Sequence, residues 1–280
     1  MNKIGVIGAG VMGRGVAQNL AESGYEVIIH DLSDEILEEA KLEIKKSIRL
    51  RQLFDKSVKG DIEEISNRIH SVKELTGIKD AKFIVENITE NIDKKGRLYR
   101  DLNQICNSDC IFMVNTSCIS ITKIASLMSN PDKVIGTHFM NPVPMMKAVE
   151  VIRGYHTSED TLQEVKELLE EMGKESIVVN DFPGFVSNRI SHLMMNEAAF
   201  IVQDQVADPK TVDDIFKKCY GHKMGPLETA DLIGLDTVVN SLDVLYESFN
   251  DTKFRCCPLL QKMVDAGLYG RKSGEGFYKY

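Results

Sequence analysis

The stretch that most constrains the fold is Gly8-Ala9-Gly10-Val11-Met12-Gly13, which directly follows the apolar run 4–7 and opens a helix-like segment containing Val16, Ala17 and Leu20. Glycines at this spacing permit a tight turn after a strand, close approach of backbone to a pyrophosphate, and tight packing of helix on strand. The helix N-terminus adds unbonded N–H groups for the anion. A second strand-like run, 26–30, leads into Asp31, about 20 residues on, where a carboxylate accepts hydrogen bonds from the adenosine ribose. Glycines serving only a turn would need neither the second strand nor its terminal carboxylate. The combination predicts a dinucleotide site built from Gly8, Gly10, Met12, Gly13 and Asp31. Asp31 also repels a 2′-phosphate, and Leu32-Ser33 supply no arginine to receive one, so NAD is predicted over NADP.

Around that loop, short β-rich runs alternate with helical stretches through about the first 180 residues, the order that builds a parallel sheet covered by helices. Strands are predicted at 4–7, 26–30, 83–87, 111–115, 133–139, 148–152 and 176–179; several are continuous apolar runs, as buried parallel strands are. From Asp34 to Ile69 the pattern gives two polar helices around a turn at Lys59-Gly60, read as a projecting helical hairpin. After Phe182-Pro183-Gly184 the pattern turns helical, with apolar periodicity at 186–202, 211–219, 236–249 and 259–266. The chain therefore reads as α/β, with a mostly parallel sheet domain over 1–183 and an all-helical domain over 184–280 packed closely against it. The 280 residues suit two domains.

The balance of 34 Lys+Arg against 42 Asp+Glu, net −8, argues against a general electrostatic grip on nucleic acid or anionic lipid. No apolar run approaches the roughly 18 residues of a membrane helix. Met1-Asn2-Lys3 leads straight into a strand-like run rather than a signal segment, so a cytoplasmic protein is expected. Six cysteines without a Cys-x-x-Cys pair or other ligand spacing read as reduced, mostly buried thiols, with no metal.

Strands of a parallel sheet end at a common carboxyl edge, where chemistry belongs. One predicted strand ends in Asn115-Thr116-Ser117 and another in His138-Phe139-Met140-Asn141-Pro142, while Glu150 lies in the strand beyond the Pro142/Pro144 loop. A histidine with a nearby carboxylate suits the oxidation of a hydroxyl group. The imidazole takes the proton, and the carboxylate fixes its tautomer and stabilises the imidazolium. Against this stand a structural histidine and a Ser117 that merely caps the next helix.

With these residues in hand, the chain resembles the 3-hydroxyacyl-CoA dehydrogenase family, of the short bacterial 3-hydroxybutyryl-CoA dehydrogenase type. The stretches that carry the resemblance are GAGVMG from Gly8, NTSCISIT from Asn115, DKVIGTHFMNPVPMMKAVEVIRG from Asp132, PGFVSNRI from Pro183, MGPLETADLIGLD from Met224 and GRKSGEGFY from Gly270. The resemblance implies a Rossmann-type first domain, a helical second domain mediating homodimerisation, and NAD-dependent interconversion of a 3-hydroxyacyl and a 3-oxoacyl thioester. It further implies His138 as catalytic acid/base, Glu150 as its partner, and Ser117 and Asn188 as groups hydrogen-bonding the reacting substrate oxygens. Glu90, Lys95, Asn115 and Asn141 are placed by it on the nicotinamide side.

The hairpin departs from the family, which usually presents several lysines there to the CoA phosphates. Ser47, at a family position near CoA, persists, and Arg51 and Lys56 remain as phosphate donors, but Leu50, Leu53 and Phe54 make the segment apolar. Either these three pack the hairpin against the sheet domain and CoA remains the carrier, or the hairpin accepts an acyl-carrier-protein-bound substrate. In the second case the same chemistry would serve polyketide or peptide extender units of hydroxymalonyl or aminomalonyl type.

Overall fold

The computed structural model describes residues 3–54 and 60–280. The chain divides into two compact units, Met1–Asp181 and Phe182–Tyr280. The first is built on an eight-stranded sheet of order β3-β2-β1-β4-β5-β6-β7-β8. Its elements run β1 Lys3–Ile7, α1 Val11–Glu22, β2 Glu26–His30, α2 Asp34–Phe54, α3 Ile62–Asn67, β3 Ile69–Val72, β4 Phe83–Glu86, α4 Ile92–Ile105, β5 Ile111–Val114, α5 Ile121–Ala125, β6 Val134–His138, β7 Ala148–Arg153, α6 Glu159–Glu171 and β8 Glu175–Asn180. Every pairing is parallel except β6 with β7. The chain order reverses where β1 meets both β2 and β4, and such a switch point opens a ligand crevice at the carboxyl ends.

The central strands form this sheet because they are apolar on both faces. Ile4, Val6, Ile84, Ile111, Met113, Val114 and Ile135 are all fully buried, each contributing about 1.5–3 kcal/mol relative to exposure. Helix starts follow local chemistry. The side chains of Asn91, Ser120 and Ser158 accept the N–H of Lys94, Lys123 and Thr161, capping α4, α5 and α6.

The segment from Asp34 to Ile69 holds the two helices expected of the hairpin. They are α2 and α3, and the chain then enters β3, a strand that the periodicity does not indicate. Of its four residues only Ile69 is buried, so this edge strand carries no alternating signal. The hairpin is anchored at its base, with Ile44, Ile48 and Ile65 joining the core of the sheet domain. Leu50, Leu53 and Phe54 do not pack there. They are 58%, 74% and 84% exposed, because they lie beyond the last buried turn of α2. Lys56 and Lys59 lie outside the described residues.

The second unit contains α7 Ser187–Gln203, α8 Pro209–Cys219, α9 Pro226–Ile233, α10 Leu235–Phe249 and α11 Pro258–Asp265. The periodicity gives no helix at α9, since eight residues between Gly225 and Gly234 read as a connection; Pro226 at its first turn and the Asp213 carboxylate accepting the N–H of Leu227 and Glu228 start it. The chain's last residues are fastened by Asp231, which accepts the N–H of Phe277 and Tyr278 at 3.0 Å each and the Tyr280 hydroxyl at 3.1 Å. Of the six free cysteines, Cys110, Cys118 and Cys257 are buried, whereas Cys219 is exposed. Among the described residues no helix is long and apolar enough to cross a membrane.

Candidate active site

The glycine loop sits at the switch point. Gly8 adopts a φ of +89°, and a Cβ there would lie 2.8 Å from the Asn87 carbonyl oxygen, so the turn out of β1 admits only glycine. A Cβ on Gly13 would lie 1.7 Å from the Gly8 oxygen, which fixes the close packing of α1 on the loop. Gly10 is different: a Cβ there would meet nothing within 4 Å, and the residue is exposed. Gly10 caps α1 without a side-chain hydrogen bond, leaving first-turn amides to an external acceptor. Met12 is half-buried and packs against the core. These features fit a dinucleotide pyrophosphate.

Asp31 follows β2 and accepts the N–H of Ala9 on one carboxylate oxygen and of Leu32 on the other, both at 2.8 Å. It thereby ties the glycine loop to the end of β2. Each oxygen keeps acceptor capacity, enough for the two hydroxyls of a ribose.

The ends of β4, β5 and β6 are knitted together by Asn115, which donates through Nδ2 to Asn87 Oδ1 at 2.7 Å and accepts the Phe139 N–H at 3.2 Å. Glu90 receives the Thr116 hydroxyl and the N–H of Ser117 and Cys118 at 2.9 and 3.0 Å, holding the turn after β5. The family resemblance places Lys95 beside the nicotinamide, but its side chain has no exposed surface. Its ammonium is sunk between both Glu86 oxygens, at 2.7 and 2.8 Å, and donates to the Asn115 carbonyl at 3.1 Å. It therefore supports Asn115 from beneath rather than facing a ligand. Burial pushes the Glu86 carboxyl up despite that ammonium.

The antiparallel pairing of β6 with β7 sets His138 directly opposite Glu150, on one face of the sheet. His138 Nδ1 lies 3.0 Å from Glu150 Oε2, and both side chains are 8% exposed. A carboxylate only accepts, so Nδ1 carries the hydrogen, Nε2 of the neutral ring is an acceptor, and the Ser117 hydroxyl 3.2 Å away donates to it. Ser117 does not cap the next helix; Ser120 does, through the Lys123 N–H at 3.2 Å. A serine–histidine–glutamate relay also suggests acyl transfer, but the Ser117 and Cys118 amides that would hold an oxyanion are occupied by Glu90. What remains is a base, held by a buried charge, that takes a proton from a hydroxyl.

Asn141 and Ser47 share a groove of about 160 Å³ with Val11, Arg14 and Pro142, which brings the expected carrier-side and cofactor-side residues together. Arg51, expected as a phosphate donor, turns instead to α1 and pairs with Glu22, its side chain 18% exposed. Asn188 lies in the second unit, in the first turn of α7, and its carbonyl accepts the His192 Nδ1–H at 2.9 Å. Just ahead of it, Phe185 holds a φ of +50°, an unusual backbone for a bulky residue.

A dinucleotide cradle at the switch point and a carboxylate-held histidine at the same sheet edge define a nicotinamide-dependent oxidoreductase of the Rossmann class. Residues 3–182 match the 3-hydroxyacyl-CoA dehydrogenase NAD binding domain, and residues 184–280 match the 3-hydroxyacyl-CoA dehydrogenase C-terminal domain. The chain belongs to the 3-hydroxyacyl-CoA dehydrogenase family. It is 49% identical over 279 residues to a probable 3-hydroxybutyryl-CoA dehydrogenase of Deinococcus radiodurans, covering 99% of this chain and 100% of that one. It is 39% identical to the 3-hydroxybutyryl-CoA dehydrogenase of Bradyrhizobium diazoefficiens, covering 100% and 96%. The crystal structure of (S)-3-hydroxybutyryl-CoA dehydrogenase from Ralstonia eutropha superposes with a TM-score of 0.94 at 39% identity, over 100% of this chain and 99% of that one.

Proposed function

We propose that this chain interconverts a short-chain 3-hydroxyacyl-CoA, of the 3-hydroxybutyryl type, and its 3-oxoacyl-CoA with NAD as the hydride carrier. The observation that carries the reading is the Ser117–His138–Glu150 relay, built on the carboxyl edge of the sheet that also bears the open cradle at Gly10. Family membership and the names of the relatives support it.

In this reading Gly8, Gly10, Met12 and Gly13 receive the pyrophosphate, Asp31 the adenosine ribose, and Glu90, Asn115 and Asn141 border the nicotinamide. Lys95 acts through the Asn115 carbonyl. Bound NAD supplies the acceptor for the hydride leaving C3. His138 Nε2 takes the hydroxyl proton, exchanging its bond from Ser117 for one from the substrate, and Glu150 stabilises the imidazolium that forms. Ser117 and Asn188 hydrogen-bond the reacting oxygens, and in the reverse direction His138 returns the proton. Ser47 lies on the carrier side. Residues 1–183 are read as the NAD-binding domain, and residues 184–280 as the substrate and homodimerisation domain, of a cytoplasmic enzyme. Exposed Ile190 and Leu232 support an apolar contact surface on the latter.

One observation favours a second carrier. The exposed Leu50, Leu53 and Phe54 offer an apolar surface of the kind a carrier protein contacts. The deciding assay follows NADH absorbance with acetoacetyl-CoA and with the same acyl group loaded on an acyl carrier protein. The CoA reading expects micromolar saturation and full turnover with acetoacetyl-CoA, and no gain from the carrier. A high KM for acetoacetyl-CoA that falls sharply on the carrier protein transfers the assignment to the protein-bound substrate. No NADH oxidation with either refutes the dehydrogenase reading.

A further inference from the structure

Residues 139–147 join β6 to β7, so they connect His138 to Glu150 along the chain and carry Asn141. The segment rests on α1, where Gly15 makes room: a Cβ on Gly15 would lie 2.9 Å from the Val143 Cβ. Its own amides curl inward, the N–H of Met145 and Met146 both donating to the Pro142 carbonyl at 3.0 and 3.2 Å. That leaves the carbonyls of Val143 and Met146 in need of donors. Lys174, in the turn between α6 and β8, supplies both. Its ammonium donates to Val143 O at 2.7 Å and to Met146 O at 2.8 Å, and the residue is 5% exposed. A second tie holds the same turn to α1, the Asn19 amide donating to the Met172 carbonyl at 3.3 Å.

A lysine this buried normally has a carboxylate partner. Among the described residues no carboxylate lies within ion-pairing distance of Lys174. Around it, α1 presents Glu22 and α2 presents Arg51, which pair with each other. Glu171 and Glu175 on its own segment and Lys147 at the end of the loop are exposed. Burial, with a smaller push from Arg51 and an opposing pull from Glu22, lowers the ammonium to about 8. An ammonium kept beneath an active-site loop without a carboxylate is a costly device where an apolar residue would fill the space.

We propose that Lys174 is a positioning residue for the dehydrogenase reaction, holding the 139–147 segment so that Asn141 keeps its place in the groove and His138 and Glu150 keep their separation. The proposal rests on the function proposed above. Charge-assisted bonds to two carbonyls three residues apart fix both the height and the orientation of the loop, which a packing contact does not. They weaken when the ammonium loses its proton, so the loop is held best below pH 8.

The test compares wild type, Lys174→Met and Lys174→Arg in the direction of 3-hydroxybutyryl-CoA oxidation across pH 6–10, with melting temperature and NADH binding by fluorescence in parallel. Lys174→Met is expected to lower kcat/KM by about ten- to a hundredfold, as small misplacements of catalytic groups do. Lys174→Arg, which can also donate to both carbonyls, is expected to restore activity to within about threefold. Wild type is expected to lose kcat/KM several-fold as pH rises past about 8, whereas Lys174→Arg, whose guanidinium stays charged, keeps its activity to the top of the range. If Lys174→Met does not fold, the pH profile of Lys174→Arg decides alone. Wild-type turnover together with an unaltered Lys174→Met, or with the same alkaline fall in Lys174→Arg, overturns the role of Lys174 and leaves the function reading intact. Absence of wild-type turnover overturns both.

Discussion

Replacing Glu150 with glutamine isolates the charge that holds the base. The amide oxygen of the introduced side chain can still accept the His138 Nδ1–H across the 3.0 Å now spanned by Glu150 Oε2, so the tautomer and ring orientation survive. The loss is the carboxylate charge beside an imidazolium that exists only after the hydroxyl proton has moved. Both side chains are 8% exposed, so water screens little of it. A hydrogen bond to a charged group contributes about 1.5–3 kcal/mol against about 0.5–1.5 for a neutral one, so Glu150→Gln should lose about 1–2 kcal/mol of transition-state stabilisation. That corresponds to a fall of roughly 5- to 30-fold in kcat. Glu150→Ala, which also strands Nδ1–H in a buried place, should fall further. The assay is steady-state NAD reduction with 3-hydroxybutyryl-CoA, with NADH affinity measured separately by fluorescence. Wild-type kcat in Glu150→Gln would refute the idea that the carboxylate stabilises the protonated base.

Three further outcomes follow from the same geometry. NADH should outperform NADPH by at least about tenfold in kcat/KM, a difference of only about 1.4 kcal/mol, because a 2′-phosphate would lie against Asp31; equal values would remove Asp31 from the ribose site. Ser117→Ala should lower kcat only about 2- to 13-fold, the effect of one neutral hydrogen bond, whereas complete loss of turnover would contradict a role limited to that bond. Burial pushes the Asp231 carboxyl up despite its three donors, so the folded chain holds a proton that the unfolded chain has released. Stability from this group therefore falls as pH rises from the ordinary carboxylate value near about 3.9 through the raised one, and urea midpoints of wild type minus Asp231→Asn should decline across that window; a flat or rising difference would contradict it.

Much of the site was legible in the sequence because its parts are local. The glycine loop, Asp31, Asn115 and His138 each follow a run of buried apolar residues, and in a parallel sheet such ends converge on one edge. The contact of His138 with Glu150 is not local. It depends on β7 turning back antiparallel to β6 with a register that sets 138 against 150, which the intervening Pro142 and Pro144 suggest but do not specify. The periodicity misses β3 because an edge strand with one buried residue has no pattern, and misses α9 because its flanking glycines look like a loop. Lys95, Arg51 and Lys174 expose a different limit. A basic side chain in a sequence reads as a surface group, and only packing reveals that Lys95 is enclosed by Glu86, that Arg51 turns to Glu22, and that Lys174 spans two carbonyls.

The central claim is that His138 moves the substrate proton in an NAD-linked interconversion of hydroxyl and ketone, and His138→Gln tests it most directly. NADH oxidation by acetoacetyl-CoA should fall by about 10²–10⁴-fold in this variant, with NADH binding left close to wild type, since the imidazole contributes general acid catalysis and no part of the cradle at Gly8–Gly13. Near-normal turnover by His138→Gln would contradict the account and require the proton to be handled by another group.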